Sequence, residues 1–167
     1  MIQNFCRIVD AVNERTGSIV ALLFLPFTFL VVTDVFTRYI LNKPWFYLDI
    51  NVQIMGCIVL MGAGYTHLHD GHVGVDILVN RLSERNRAIF DLIISPLFLF
   101  TIGTLLWKLS QYAYKSVSIL EEYTSAFAPP IYPYKIMMAL GIALLMLQGI
   151  VKYIRKLTYV INTKPKG

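Results

Sequence analysis

From Asn51 to Thr66 the chain carries no charged residue, and Gly56, Cys57, Gly62, Ala63 and Gly64 set small side chains among Ile54, Met55, Ile58, Val59, Leu60 and Met61. Such a run reads as a membrane helix with a packing face. In lipid, helices associate through dispersion contacts, and small residues let their backbones come close. The face therefore implies a neighbour. The run ends in Thr66-His67-Leu68-His69-Asp70-Gly71-His72, which gathers all 3 histidines of the protein into one polar exit.

Of the 167 residues, 56% are hydrophobic and 15% charged, more apolar surface than a soluble domain of this length hides in one core. The net charge of +5 does not point to nucleic acid, because the Lys and Arg residues sit at the ends of apolar runs without interleaved aromatics. Cys6 and Cys57 have no paired spacing and read as small or buried residues. The first apolar run begins near Gly17, carries Pro26 and lacks a small-residue cleavage site, so it is expected to stay as an anchor.

Taken in order, Ile2, Phe5, Ile8, Val9 and Val12 recur about once per helical turn and predict a short interfacial helix over 1–16. Apolar spans are expected over about 17–38, 50–66, 88–107 and 136–154. Between the last two, Gln111 to Tyr123 puts Tyr112, Ala113, Val117 and Leu120 on one face. That pattern predicts an amphipathic helix over 111–123 on the membrane surface. The prolines from Ala128 to Tyr134 stop it. Ten Lys and Arg residues flank one set of span ends and five the other. The richer set predicts the cytoplasmic side, which places both termini there and the amphipathic segment outside. The expected fold is an all-α membrane protein of four transmembrane helices plus that outer, periplasm-side amphipathic helix, forming one integral domain over 1–167.

Two polar groups could carry chemistry. His67, His69 and His72 with Asp70 and Asp76 offer imidazole and carboxylate ligands for a divalent ion, which would make the chain a metal-binding membrane enzyme or ion carrier. Zinc sites usually recruit ligands from a second segment, however, and no other histidine exists, so a capped polar helix exit is the plainer reading. Asp34, Arg38 and Asp49 lie at the outward ends of the first two spans. They could form an ion site in an independent homo-oligomeric transporter, or an interfacial ion pair fixing how the spans meet. No carboxylate lies nearer the bilayer middle, and no serine sits in a nucleophile motif, so no enzyme activity is expected.

Phe36-Thr37-Arg38-Tyr39-Ile40-Leu41-Asn42-Lys43-Pro44-Trp45 with Asp49, Leu60-Met61-Gly62-Ala63-Gly64-Tyr65, Gly71-His72-Val73-Gly74-Val75-Asp76 and the proline-aromatic stretch before the last span form a series. In its motifs and span order this series resembles the small membrane subunit (DctQ-like) of tripartite ATP-independent periplasmic (TRAP) transporters. Asp49 departs from the glutamate more often found there. The resemblance implies a bacterial inner-membrane protein that scaffolds a large membrane subunit. Together they would take up an organic acid, such as sialic acid or a C4-dicarboxylate, delivered by a periplasmic solute-binding protein. Sodium would bind in the large subunit, leaving this chain without a cofactor. By the same resemblance Arg38, Trp45 and Asp49 would set the outward end, Gly62, Ala63 and Gly64 the close helix contact, and His72 and Asp76 the cytoplasmic exit.

Overall fold

The computed structural model describes residues 2–42, 48–69, 71, 84–124 and 128–162, with the backbone alone described for 48, 49, 84–88 and 162. Four helices are found among them: α1 (Ile2–Tyr39), α2 (Leu48–Leu68), α3 (Glu84–Ser118) and α4 (Tyr132–Asn162). They lie side by side in the order α1, α2, α4, α3, and α1 also touches α4. The last helix in sequence is thus central in space. Gly141, Ile142, Leu145, Gln148, Gly149 and Val151 are all buried on it.

The outer helices turn whole apolar stripes outward. On α1, Leu22, Leu25, Phe29 and Val32 are 71%, 72%, 73% and 60% exposed at helical spacing. Ile93, Leu97, Phe100 and Trp107 do the same on α3. A water-soluble bundle would bury these stripes; lipid is the solvent they fit. Many hydroxyls along the helices, though not that of the buried Ser116, return to the backbone one turn back, as Thr28 does to the Phe24 carbonyl at 2.8 Å and Thr101 to that of Leu97 at 2.9 Å. This bonding lets a polar side chain face hydrocarbon with its donor satisfied.

Three helices, α1, α3 and α4, are long and apolar enough to cross a membrane. Helix α2 is shorter and carries Asn51, Gln53, Thr66 and His67 within it. Packed between α1 and α4, it places such groups against protein.

Two expected breaks are corrected. Residues 1–16 were to form a helix separate from the span over 17–38, but α1 runs from Ile2 to Tyr39 without interruption. Gly17 is no breaker here: a Cβ on it would lie 2.2 Å from Cγ of Tyr65, so the glycine seats that ring against α1. Likewise the amphipathic helix over 111–123 is not separate. Nothing at Ser110 or Gln111 stops α3, which continues to Ser118.

Helix α3 ends in a Schellman turn. The Leu120 N–H donates to the Val117 carbonyl at 3.2 Å and the Glu121 N–H to that of Ser116 at 3.0 Å, with Leu120 left-handed at φ 47°. The chain then folds back on itself: Tyr123 N–H donates to Pro129 C=O and Ile131 N–H to Glu121 C=O, both at 2.9 Å. Helix α4 starts at Tyr132, earlier than the expected 136. Pro133 is tolerated because first-turn N–H groups have no partner within the helix.

Candidate functional site

Fully buried side chains gather near one end of the helix row, where the start of α1 meets the end of α4, with Ser116 of α3 buried as completely elsewhere. Cys6, Val9 and Val151 form a buried cluster there, and Asn13 and Gln148 beside it are 0% exposed. The Asn13 amide donates to the Val9 carbonyl at 3.1 Å and to Gln148 Oε1 at 2.8 Å. Gln148 Nε2 donates in turn to Asp10 Oδ1 at 3.0 Å, and Arg155 donates to the other Asp10 oxygen. Further pairs tie neighbouring helices at this end: Lys156 of α4 with Asp91 of α3, and His69 with Glu14 of α1 at 2.8 Å.

The small residues of α2 find their neighbours inside the chain. A Cβ on Gly64 would lie 2.1 Å from Asn13 Oδ1, and one on Gly56 would lie 2.4 Å from the Tyr134 hydroxyl. From the facing side, a Cβ on Gly141 of α4 would sit 2.6 Å from the Leu60 carbonyl oxygen. Gly62 is looser, with only Val20 Cγ1 at 3.6 Å. Ala63 is half-buried. Gly56, Gly62 and Gly64 thus meet the chain's own α1 and α4.

At the opposite end of α1, one guanidinium nitrogen of Arg38 donates to both Asp34 oxygens, at 3.0 and 2.7 Å. Asp34 is 6% exposed, so its carboxylate is buried against a charged hydrogen-bond donor that offsets part of its desolvation. Asp49 falls in the first turn of α2, with its side chain outside the described residues; Trp45, His72 and Asp76 lie outside them altogether. Lys135 of α4 reaches Glu121 in the folded-back turn at 2.5 Å. The ammonium holds the Glu121 carboxyl below the usual carboxylate range.

The two described histidines do not converge. His67 stacks on Phe98 of α3 with ring centroids 4.9 Å apart, whereas His69 lies against Tyr65 and Glu14. Two positions apart on a helix, they point to different neighbours. Among the described residues no group of three or more His, Cys, Asp or Glu side chains comes together.

Sequence reasoning missed Asp10, Asn13, Gly17, Gly141 and Gln148. The available signal was Gln148, a lone amide in the charge-free part of the last apolar run, where an unpaired polar group would be costly. A groove of 610 Å³ runs between α1, α2 and the start of α4. Its walls are mainly aliphatic and aromatic, and Gln53 places a buried Nε2 there without a partner among the described residues.

Long apolar helices side by side, with bare stripes outward and ion pairs at their ends, define a helical multi-pass membrane protein. The profile of the tripartite ATP-independent periplasmic transporters, DctQ component, matches residues 27–158. The match covers most of the chain, from the middle of α1 almost to the end of α4, and the protein belongs to this family, the small membrane subunits of TRAP transporters. A comparison with curated proteins finds no match.

Proposed function

We propose that the chain is a fixed companion of a larger TRAP membrane subunit, supporting sodium-coupled uptake of an organic acid handed over by a periplasmic binding protein. Both termini face the cytoplasm, following the Lys and Arg bias of the span ends. The observation that carries the reading is where polar groups lie within a family member. Asp34 is neutralised by Arg38 inside α1, and the Asp10–Asn13–Gln148–Arg155 series is bonded between α1 and α4. These side chains are committed to one another, and a solute or ion would have to break those bonds to use them. The outward stripes of α1 and α3 supply apolar area for lipid and for a companion subunit.

The test is co-isolation and uptake. A tagged chain should retain the large subunit through detergent extraction, and deletion of this chain should abolish binding-protein-dependent uptake in cells that still make the other two components. Full uptake after deletion would refute the proposal.

A further inference from the structure

Residues 2–26 precede the stretch that matches the family, yet they contribute half of a contact whose Asn13, Gln148 and Val151 side chains are fully buried. The polar groups there alternate between helices. Asn13 of α1 bonds Gln148 of α4, Gln148 bonds Asp10 of α1, and Asp10 bonds Arg155 of α4. Asp10 and Asn13 are three positions apart and Gln148 and Arg155 seven, spacings that keep each pair on one helix face. Around them the contact is made by Cys6, Val9 and Val151, small apolar side chains with little shape of their own. A slide of α1 along α4 by one turn, about 5.4 Å, would exchange these apolar contacts for similar ones. The same slide would leave two amides, a carboxylate and a guanidinium without their partners, in a place where Asn13 and Gln148 have no access to solvent.

Helix α2 closes the layer. Among the described residues Asn13 Oδ1 has no N–H or O–H donor, and it lies where a Cβ on Gly64 would be, at 2.1 Å. The Cα–H of Gly64 points at that oxygen, a weak donor that only a glycine offers at this approach. The layer thus senses the position of three helices at once.

We infer that the Asp10–Asn13–Gln148–Arg155 series is a register lock: it selects one longitudinal alignment of α1 on α4, and with Gly64 one depth of α2, where the surrounding apolar contacts would accept several. Buried polar pairs are poor sources of net stability, and in coiled coils a single one fixes the register of the helices. The inference concerns this chain alone and stands whether or not the proposed partner is correct.

The native Cys6 provides the readout. In a Cys57→Ser background, Val151→Cys reports the observed alignment through a disulfide to Cys6, and Leu147→Cys reports a one-turn slide through the same cysteine. Copper-phenanthroline oxidation in native membranes, read by mass spectrometry, gives the ratio of the two links. With the polar series intact the first link should exceed the second by at least about tenfold, the bias expected from one buried polar group left unpaired. In the Asn13→Leu/Gln148→Leu variant the ratio should fall towards one. An unchanged ratio would overturn the lock. Loss of both links would overturn it too, because the series would then be holding the helices together and not choosing between alignments. The exchanged pair Asn13→Gln/Gln148→Asn keeps one donor and one acceptor on each side and should recover most of the original ratio. Failure to exceed the double leucine variant would count against the assignment.

Discussion

Replacing Gly141 by alanine adds one methyl group where α4 crosses α2. That Cβ would lie 2.6 Å from the Leu60 carbonyl oxygen, 2.7 Å from its carbon and 2.9 Å from the Met61 nitrogen. All three are backbone atoms, so no side-chain rotation relieves the clash. Ordinary contact begins at 3.4 Å, and the helices must separate or slide by roughly 0.8 Å. A gap of that size forfeits about a quarter to a half of the dispersion attraction across the crossing, and overpacking of this kind costs about 1–3 kcal/mol. Against this stands the better helix propensity of alanine, about 1 kcal/mol. Gly62→Ala supplies the control, because its methyl would meet only Val20 Cγ1 at 3.6 Å and should carry the propensity gain without the clash. The difference between the two variants is therefore the contact term. At about 2–4 °C per kcal/mol for a chain of this size, Gly141→Ala should melt roughly 2–12 °C below Gly62→Ala in the same detergent or nanodisc. Equal melting temperatures would refute the close crossing of α2 and α4.

Leu120 is left-handed at the C′ position of α3; Leu120→Gly should stabilise the purified chain by about 1 kcal/mol in thermal unfolding, since a non-glycine residue is strained there. Gly17→Ala should lower the yield of folded protein sharply, because its Cβ would fall within 2.2–2.5 Å of three Tyr65 atoms; fluorescence-detected size exclusion reads this directly. Glu121 is held below its ordinary titration range by Lys135, so the stabilising pair is present above the ordinary carboxylate pKa and lost as pH falls through the lowered value. The protection of the α3–α4 turn amides, measured relative to their intrinsic exchange rate at each pH, should therefore fall only in the acid range, and Glu121→Gln should remove that dependence while lowering protection at neutral pH. Arg38→Ala removes the partner of the buried Asp34 carboxylate and should cost about 1–2 kcal/mol, between the values for exposed and buried pairs because the Arg38 side chain is partly exposed, with Asp34→Asn/Arg38→Ala recovering part of the loss in the same melting assay.

Much of the fold was legible because lipid imposes a simple pattern: the charge-free runs Asn51–Thr66 and Ile136–Val151 fall within α2 and α4, and Asp34 with Arg38 pairs at the expected spacing. Helix ends were less legible. Polar residues such as Asn13 suggested a surface helix, yet α1 continues through them because its apolar and polar positions keep helical phase and Gly17 is needed for Tyr65. A polar residue facing a polar residue on another helix looks, in sequence, the same as one facing water. The 111–123 segment failed for a related reason: its face is amphipathic, but nothing in it stops α3 before Ser118. The glycine face on α2 was visible as a packing face, while its partners were not. Which helix fills the space over Gly64 depends on α4 entering the centre of the row, a long-range choice that local composition does not encode.

A companion subunit should have no transport activity of its own. Vesicles holding the purified chain alone, under an inward sodium gradient and with the binding protein and radiolabelled organic acid outside, should accumulate no more label than empty vesicles; adding the large subunit should give sodium-dependent uptake. Accumulation by the chain alone would contradict the companion role.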